Sequence, residues 1–244
     1  MEGDTTAPTH PPMRTIGLLG GMSWESTAEY YRILNERARA RLGGVHSAPC
    51  VLHSFDFAGI VDLQRAGAWD EAGRHLALAA KGLEAAGAEL LLICTNTMHK
   101  VAPAVAAAVP VPLVDIVDVT AERLLAAGVR RAGLLGTRFT MEDGFYHERM
   151  AGHGIELLTP EDGADRAMVH RVIFEELAVG VRSEDSRRAY RRVIGRLAER
   201  GAAGVVLGCT EIELLLDEAD SPVPVFPTTR IHAEAAIEAS IAGR

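Results

Sequence analysis

Cys209 is the residue whose type and position best suit proton-transfer chemistry. It follows the apolar run 204–208 and precedes the segment TEIELLL at 210–216, which predicts a strand that ends there and a helix that begins there. The dipole and the free backbone N–H groups of a helix start favour a thiolate and lower the pKa of a thiol. Cys209 is therefore predicted to act as an acid/base group, the alternative being a small buried apolar residue.

The other two cysteines are less suited to this chemistry. Cys50 follows Pro49 inside a strand-like run and is predicted to lie in the core. Cys94 ends another strand one residue before a turn, where its side chain should point away from that of Thr95.

The segment Thr95–His99, TNTMH, is predicted to begin a helix in the first half of the chain. Thr and Asn are good helix caps because their side-chain oxygens accept the free N–H groups of the first turn. The same N–H groups, together with those at Thr210, could form two facing positions suited to a carboxylate. His99 fits packing or capping as well as catalysis.

No cofactor or metal motif is present. Gly17, Gly20 and Gly21 lack the spacing of a dinucleotide-binding loop, and no phosphate-binding loop sequence occurs. These glycines more simply let the backbone approach a small ligand, and Ser26 with Glu29 predicts a capping box. The histidines and cysteines lack metal-ligand spacing. We therefore expect neither a cofactor nor a metal.

Composition narrows the class of protein further. The 244 residues are 48% apolar and 24% charged, as in compact globular proteins. The net charge of -8, without a long basic run, argues against a nucleic-acid partner. Only Lys81 and Lys100 could carry a pyridoxal Schiff base. No apolar stretch is long enough to predict a membrane span. Three cysteines without a secretion signal predict a cytoplasmic protein. The proline-rich residues 1–14 predict a disordered tail.

Short apolar runs alternate with longer Ala-rich amphipathic segments, which predicts an α/β fold with parallel strands. The predicted strands are Thr15–Leu19, Val51–Ser54, Leu90–Ile93, Leu113–Ile116, Ala132–Leu135, Val205–Leu207 and Val223–Val225. The predicted helices lie near 26–41, 69–86, 97–108, 118–127, 142–151, 167–179, 186–200 and 230–241.

The two halves of the chain resemble each other. A segment that starts at position 16 resembles one that starts at 132, and a segment at 111 resembles one at 223. Between them, Thr95 aligns with Cys209. The distance along the chain between matching positions falls only from 116 to 112 residues. This predicts an internal duplication that forms two pseudo-symmetric α/β lobes, each with a parallel sheet and with the active site in the cleft between them. The first lobe is predicted to span 15–117 plus the C-terminal helix 228–244, and the second 118–227.

Residues directly after the strands should line that cleft, because ligands of open α/β sheets bind beyond the carboxyl ends of the strands. They are Gly20–Ser23, Thr95–Thr97, Thr137–Phe139 and Cys209–Glu211.

The motifs GLLGGMSWEST, CTNTMH, AGLLGTRFT, IFEEL and GCTEI together resemble the cofactor-independent aspartate/glutamate racemase family, from about Thr15 to Ala242. The chain is most similar to the branch that acts on L-aspartate or L-glutamate, or on several amino acids, and that carries Thr in place of the first catalytic Cys. The resemblance implies two pseudo-symmetric lobes, a small amino-acid substrate and a homodimer. It also implies an α-proton removed from one face and returned to the other.

The resemblance assigns catalytic roles to two residues. The usual first-lobe motif Cys-Asn-Thr-x-His here begins at Thr95, so Cys209 would take the proton from the L-enantiomer and Thr95 would serve the opposite face. A hydroxyl is a weak proton carrier without an activating partner, so conversion from D to L should be slow.

The resemblance also implies the residues that contact the substrate. Asn96, Thr97 and Thr210 would meet the α-carboxylate, Met22 and Ser23 the cleft floor, and Gln64 the distal group.

Met168 stands where family members that bind a second carboxylate often carry Lys. Either Arg166, His170 or Arg171 supplies the missing charge, or the substrate has no second carboxylate.

Three alternatives stay open at this point. A decarboxylase or maleate-type isomerase of the same superfamily could use Cys209, and a catalytically silent amino-acid-binding protein could lack the second acid/base group. A pyridoxal racemase is the weakest of the three.

Overall fold

The computed structural model describes residues 13–242. Within these residues, parallel strands form two separate sheets, of three and four strands. The strands are β1 (Ile16–Gly20), β2 (Cys50–Ser54), β3 (Leu90–Ile93), β4 (Arg131–Gly136), β5 (Glu156–Leu158), β6 (Val205–Gly208) and β7 (Val225–Pro227). The prediction of an α/β protein with two parallel-sheet lobes is confirmed.

The two sheets share one strand order, which shows the internal repeat in three dimensions. The first sheet is ordered β2-β1-β3 and the second β5-β4-β6-β7. Leu113 forms a single parallel bridge with Leu91 of β3, in the place that β7 takes beside β6. The predicted strand Leu113–Ile116 is reduced to this bridge, because Asp115 caps a helix that begins directly after it.

Helices cover both faces of the sheets, as parallel sheets require. They are α1 (Trp24–Leu42), α2 (Phe57–Arg65), α3 (Trp69–Ala85), α4 (Ala102–Ala106), α5 (Ile116–Ala126), α6 (Arg138–Glu142), α7 (Gly144–Gly152), α8 (Gly163–Glu175), α9 (Glu184–Glu199), α10 (Thr210–Glu213) and α11 (Thr228–Ala242). Short 3-10 turns occupy Thr97–Val101, Leu177–Val179 and Glu218–Asp220.

Some elements differ from the prediction for local reasons. Neither β5 nor α2 is among the predicted elements, and the three residues of β5 are too few for an alternating pattern. The helix α1 begins at Trp24, because the Ser23 hydroxyl accepts the N–H of Ser26 at 3.3 Å. The predicted capping box of Ser26 with Glu29 is therefore wrong.

The C-terminal helix α11 returns to the first sheet. Its residues Ala233, Ala236 and Ile237 pack in one cluster with Ile16 and Tyr30. The same helix contacts α5, which itself packs against the second sheet. The lobe boundaries given above stay a prediction.

The predicted tail 1–14 lies outside the described residues except for its last two positions. The backbone N–H of Arg14 donates to the Ser240 carbonyl at 3.0 Å, and its guanidinium reaches the Ala239 carbonyl. Arg14 is therefore packed on the end of α11 rather than in a tail. Between residues 13 and 242, no helix is long and apolar enough to cross a membrane.

Candidate active site

A cavity lies where the carboxyl ends of β1, β3, β4 and β6 meet. Its volume of about 40 Å³ holds roughly three water molecules, which is less than a free amino acid occupies. The first half of the chain lines it with Met22, Ser26, Phe57, Gln64, Thr95, Asn96 and Thr97. The second half contributes Thr137, Ile173, Phe174, Ala178, Gly208, Cys209, Thr210 and Glu211.

Cys209 is paired with a buried carboxyl group. The strand β6 ends just before it, and its Sγ donates a hydrogen bond to Glu211 Oε2 at 2.8 Å. The other oxygen of this group, Glu211 Oε1, accepts from the Ser23 hydroxyl at 2.7 Å. Glu211 thus accepts from both neighbours, as a carboxylate does, and connects the thiol to the first lobe.

The pKa of the Cys209 thiol is shifted opposite to the sequence-based expectation. Burial of the thiol, and then the nearby Glu211 carboxyl group, raise this pKa well above its usual value. The helix α10 that follows is only four residues long, and Glu211 lies in its first turn. Desolvation and a neighbouring acidic group therefore outweigh the short helix dipole. A thiolate here requires a base that removes the proton.

Thr95 lies on the first-lobe side of the cavity and is half-buried. Its carbonyl accepts a hydrogen bond from His99 Nδ1 at 2.7 Å. The opposite ring nitrogen, His99 Nε2, accepts from the N–H of Ile116 at 3.1 Å. Both bonds together require the neutral ring with its proton on Nδ1, and burial lowers the pKa of His99. His99 therefore fixes the turn that carries Thr95.

The Thr95 hydroxyl forms no hydrogen bond with any residue between 13 and 242. It differs in this from Cys209, whose thiol has a carboxyl acceptor. The two candidate acid/base positions are therefore chemically unequal.

Cys94 does not reach the cavity. Its side chain is fully buried in the cluster that contains Ile16, Tyr30 and Leu34, and burial raises the pKa of its thiol. Cys50 is half-buried on β2.

A group of buried hydroxyls joins the two lobes at the cavity. Thr97 Oγ1 lies 3.0 Å from Thr137 Oγ1 and 3.2 Å from Thr140 Oγ1. Ser26 Oγ lies 2.7 Å from Thr210 Oγ1. Hydroxyls rotate freely between donor and acceptor roles, so these groups can turn toward a bound carboxylate.

Asn96 is held between the helices α7 and α11. Its Nδ2 donates to Thr228 Oγ1 at 2.9 Å, and its Oδ1 accepts from the Tyr146 hydroxyl at 3.2 Å. The amide is thereby fixed in orientation at the cavity wall.

The predicted substrate-contact residues mostly come together. The cavity is lined by Met22, Gln64, Asn96, Thr97 and Thr210. Ser23 does not line it and instead holds Glu211.

The apolar part of the wall, which is not among the predicted site residues, comes from Phe57, Ile173, Phe174 and Ala178. Phe57 of α2 and Phe174 of α8 stack with ring centroids 6.4 Å apart and planes within 13°. The motif IFEEL contains Ile173 and Phe174 and was the one available signal.

The cations proposed to replace the missing Lys lie elsewhere. Met168 packs against the second-lobe core. Arg166 donates to Glu142 at 2.9 Å and to the Pro160 carbonyl at 2.6 Å.

His170 and Arg171 line a separate pocket, here called the outer pocket, which shares Gln64 and Phe174 with the cavity. Two more arginines, Arg65 and Arg138, complete its basic lining.

Comparison with known proteins supports one family. Residues 19–236 match the family model described as Asp/Glu/Hydantoin racemase. A putative Asp/Glu racemase from Yersinia pestis superposes with a TM-score of 0.87 and 52% identity, over 93% of this chain and 99% of that one.

Two further relatives agree. PH1733, an aspartate racemase homologue from Pyrococcus horikoshii OT3, gives a TM-score of 0.82 and 36% identity, over 93% of this chain and 99% of that one. The broad specificity amino-acid racemase RacX of Bacillus subtilis (strain 168) is 22% identical over 176 residues, or 71% of this chain and 74% of its own.

Proposed function

The chain belongs to the Asp/Glu/hydantoin racemase family of isomerases, and we propose that it interconverts the L- and D-forms of a free amino acid without a cofactor. The observation that carries this proposal is the buried pair of Cys209 and Glu211, which faces the same cavity as Thr95 on the other lobe. Racemisation needs one proton-transfer group on each side of the α-carbon.

The first half of the reaction uses the thiol. Cys209 passes its proton along the 2.8 Å hydrogen bond to Glu211, and the resulting thiolate takes the α-proton of the L-enantiomer. The hydroxyls of Thr97 and Thr210 and the amide of Asn96 hold the α-carboxylate and stabilise the charge that develops on it.

The second half delivers a proton to the opposite face. The Thr95 hydroxyl donates to the carbanion and gives the D-enantiomer, and Glu211 then returns its proton through solvent to the Thr95 oxygen. The thiol keeps the α-proton, so every group regains its starting state. Because Thr95 has no activating partner among the described residues, removal of a proton from the D-enantiomer is the slower direction.

The experiment that tests this function is α-proton exchange in deuterated water with a panel of L- and D-amino acids. Cys209→Ser should lower exchange of the L-substrate more than about a hundredfold, since that is the lower range for a general acid/base group. Cys94→Ala is the matched control, because this thiol is buried in the core and should affect only stability. Exchange near the wild-type rate in Cys209→Ser removes Cys209 from the mechanism.

The homodimer and the cytoplasmic location that the family resemblance implies stay predictions.

A further inference from the structure

The wall of the cavity carries a single charge, and that charge is acidic. Among the described residues that line it, Glu211 alone is ionisable apart from the Cys209 thiol, and no Lys, Arg or His is present. The rest of the wall is formed by apolar side chains and by neutral hydroxyls and amides. Nothing in this wall neutralises a second substrate carboxylate.

Basic groups of the neighbouring elements lie outside the wall of the cavity. The Arg166 guanidinium is bonded to Glu142, and Lys100 pairs with Asp143 at 2.5 Å while lying 4.3 Å above the Trp69 ring. The arginines of the outer pocket, Arg65, Arg138 and Arg171, are exposed, and none of them lines the cavity, although the two pockets share Gln64 and Phe174.

A buried carboxylate without a cationic partner is strongly unfavourable, and the acidic Glu211 adds repulsion. An uncharged side chain avoids both this cost of burial and the repulsion. Its apolar atoms are stabilised when they leave water and pack against Phe57, Ile173 and Phe174. Gln64 offers the substrate side chain a polar contact from an uncharged amide group. Its Nε2 donates to Met98 Sδ at 3.2 Å, which leaves Oε1 available as an acceptor.

We propose that this racemase site selects amino acids with an uncharged side chain, which packs against Phe57, Ile173 and Phe174 with Gln64 at its polar end. This inference rests on the proposed function, which it narrows from amino acids in general to one class of them. A substrate without a second carboxylate needs no cation at position 168, and Met168 packs against the second-lobe core instead.

The test compares L-glutamine with L-glutamate, two substrates of nearly equal shape that differ in charge. We expect kcat/KM for α-proton exchange to be at least about tenfold higher for L-glutamine, and L-methionine also to exceed L-glutamate. Thermal-shift titrations of the wild-type protein with the same amino acids should give the same order of binding. A result in which L-glutamate equals or exceeds L-glutamine in both measurements overturns the inference.

A matched pair of variants tests the cause of the selectivity. Ala178 lines the cavity and is half-exposed, so Ala178→Lys adds a cation and Ala178→Met adds comparable bulk without charge. The preference for L-glutamine should shrink about tenfold in Ala178→Lys and persist in Ala178→Met. Equal preferences in the two variants contradict an electrostatic origin.

Arg138→Ala separates the outer pocket from the cavity. The wild-type order of substrates should persist in this variant. If L-glutamate is instead preferred and Arg138→Ala abolishes that preference, the outer pocket supplies the cation and the inference is overturned. Failure of the proposed function has a different signature, which is no exchange with any amino acid; the thermal-shift order then still decides the selectivity.

Discussion

The thiol of Cys209 lies in a buried contact with a carboxyl group, and its pKa is raised rather than lowered by the start of a helix. Burial raises the pKa of the thiol, so the resting protein holds a protonated sulfur. Glu211 is the only described carboxyl group that hydrogen bonds to it. In the proposed mechanism, proton removal by Glu211 is therefore the step that makes the sulfur a base.

Glu211→Gln tests that step. The amide keeps the shape of the side chain but cannot take the thiol proton, so exchange of the L-substrate should fall more than about a hundredfold. Ser23→Ala is the comparison variant. It removes the hydrogen bond on the other oxygen of Glu211 together with the side-chain cap of α1, but it leaves the contact between Cys209 and Glu211, so exchange should fall less than about tenfold. Near-normal exchange in Glu211→Gln would show that another group accepts the proton.

Thr95→Cys tests the inequality of the two faces. A thiol pKa can be tuned toward neutrality, whereas that of a lone hydroxyl cannot, so D-substrate turnover should rise toward the L value. Racemisation has an equilibrium constant of one, so the proposed preference of the wild-type protein for the L-enantiomer should appear in kcat and KM together and not in the endpoint. Inactivation by thiol reagents should then depend on two sites. Unchanged D-substrate turnover would place the second proton carrier elsewhere.

At the scale of elements, the site depends on how closely α1 approaches the end of β1. A Cβ at Gly20 would lie 2.5 Å from Thr27 Cγ2 and 2.8 Å from Leu52 Cδ1. Thr27 in turn accepts the N–H of Gly21 at 2.8 Å. Glycine at position 20 thus lets α1 hold Ser23 against the second lobe.

Gly20→Ala should therefore lower the free energy of unfolding by about 1–3 kcal/mol, the range for an overpacked core site, and lower activity as well. Gly82→Ala in α3 is the control, because a Cβ there meets nothing within 4 Å. That change should leave stability equal or raise it by up to about 1 kcal/mol. Urea unfolding of both variants measures the difference in their free energies of unfolding. Equal values would show that α1 can shift to accommodate a methyl group at position 20.

At the scale of the whole molecule, two buried neutral histidines lie where the C-terminal helix meets the rest of the protein. His232 Nδ1 accepts from the Tyr30 hydroxyl at 2.7 Å, and Nε2 donates to the Val114 carbonyl at 2.8 Å. The His99 ring lies 5.6 Å away. Burial, and then His99, lower the pKa of His232 from about 6.5 to about 3. Folding therefore requires a neutral ring.

This shift makes part of the stability depend on pH. Below about pH 6.5 His232 binds a proton in the unfolded chain but stays neutral in the folded protein. The stability that depends on the neutral ring is therefore fully present above pH 6.5 and is lost as the pH falls toward 3. Desolvation raises the pKa of Glu213 to about 8, which acts in the opposite direction, so wild-type stability alone is ambiguous.

His232→Gln resolves the ambiguity, because Glu213 is common to both proteins. The variant should be less stable at pH 7, and the gap to wild type should narrow by about 1.4 kcal/mol per pH unit below 6.5. Urea unfolding at pH 7, 6 and 5 measures this gap. A gap that stays constant with pH would show that His232 titrates alike in both states.

The sequence by itself determined the α/β class, the repeat and the residues at the strand ends. Apolar runs, turn residues and the alignment of Thr95 with Cys209 are local in the chain, and parallel strands bring their carboxyl ends to one edge. Five of the implied contact residues reach the cavity for that reason.

Only the tertiary structure decided the chemistry and the shape of the site. The direction of the Cys209 pKa shift depends on burial and on how Glu211 is oriented, and Phe57 faces Phe174 only because two helices distant in sequence pack together. The absence of a cation from the described cavity wall likewise follows from where Arg166 finds its partners. Such properties arise from contacts between residues far apart in the chain, and no local pattern encodes them.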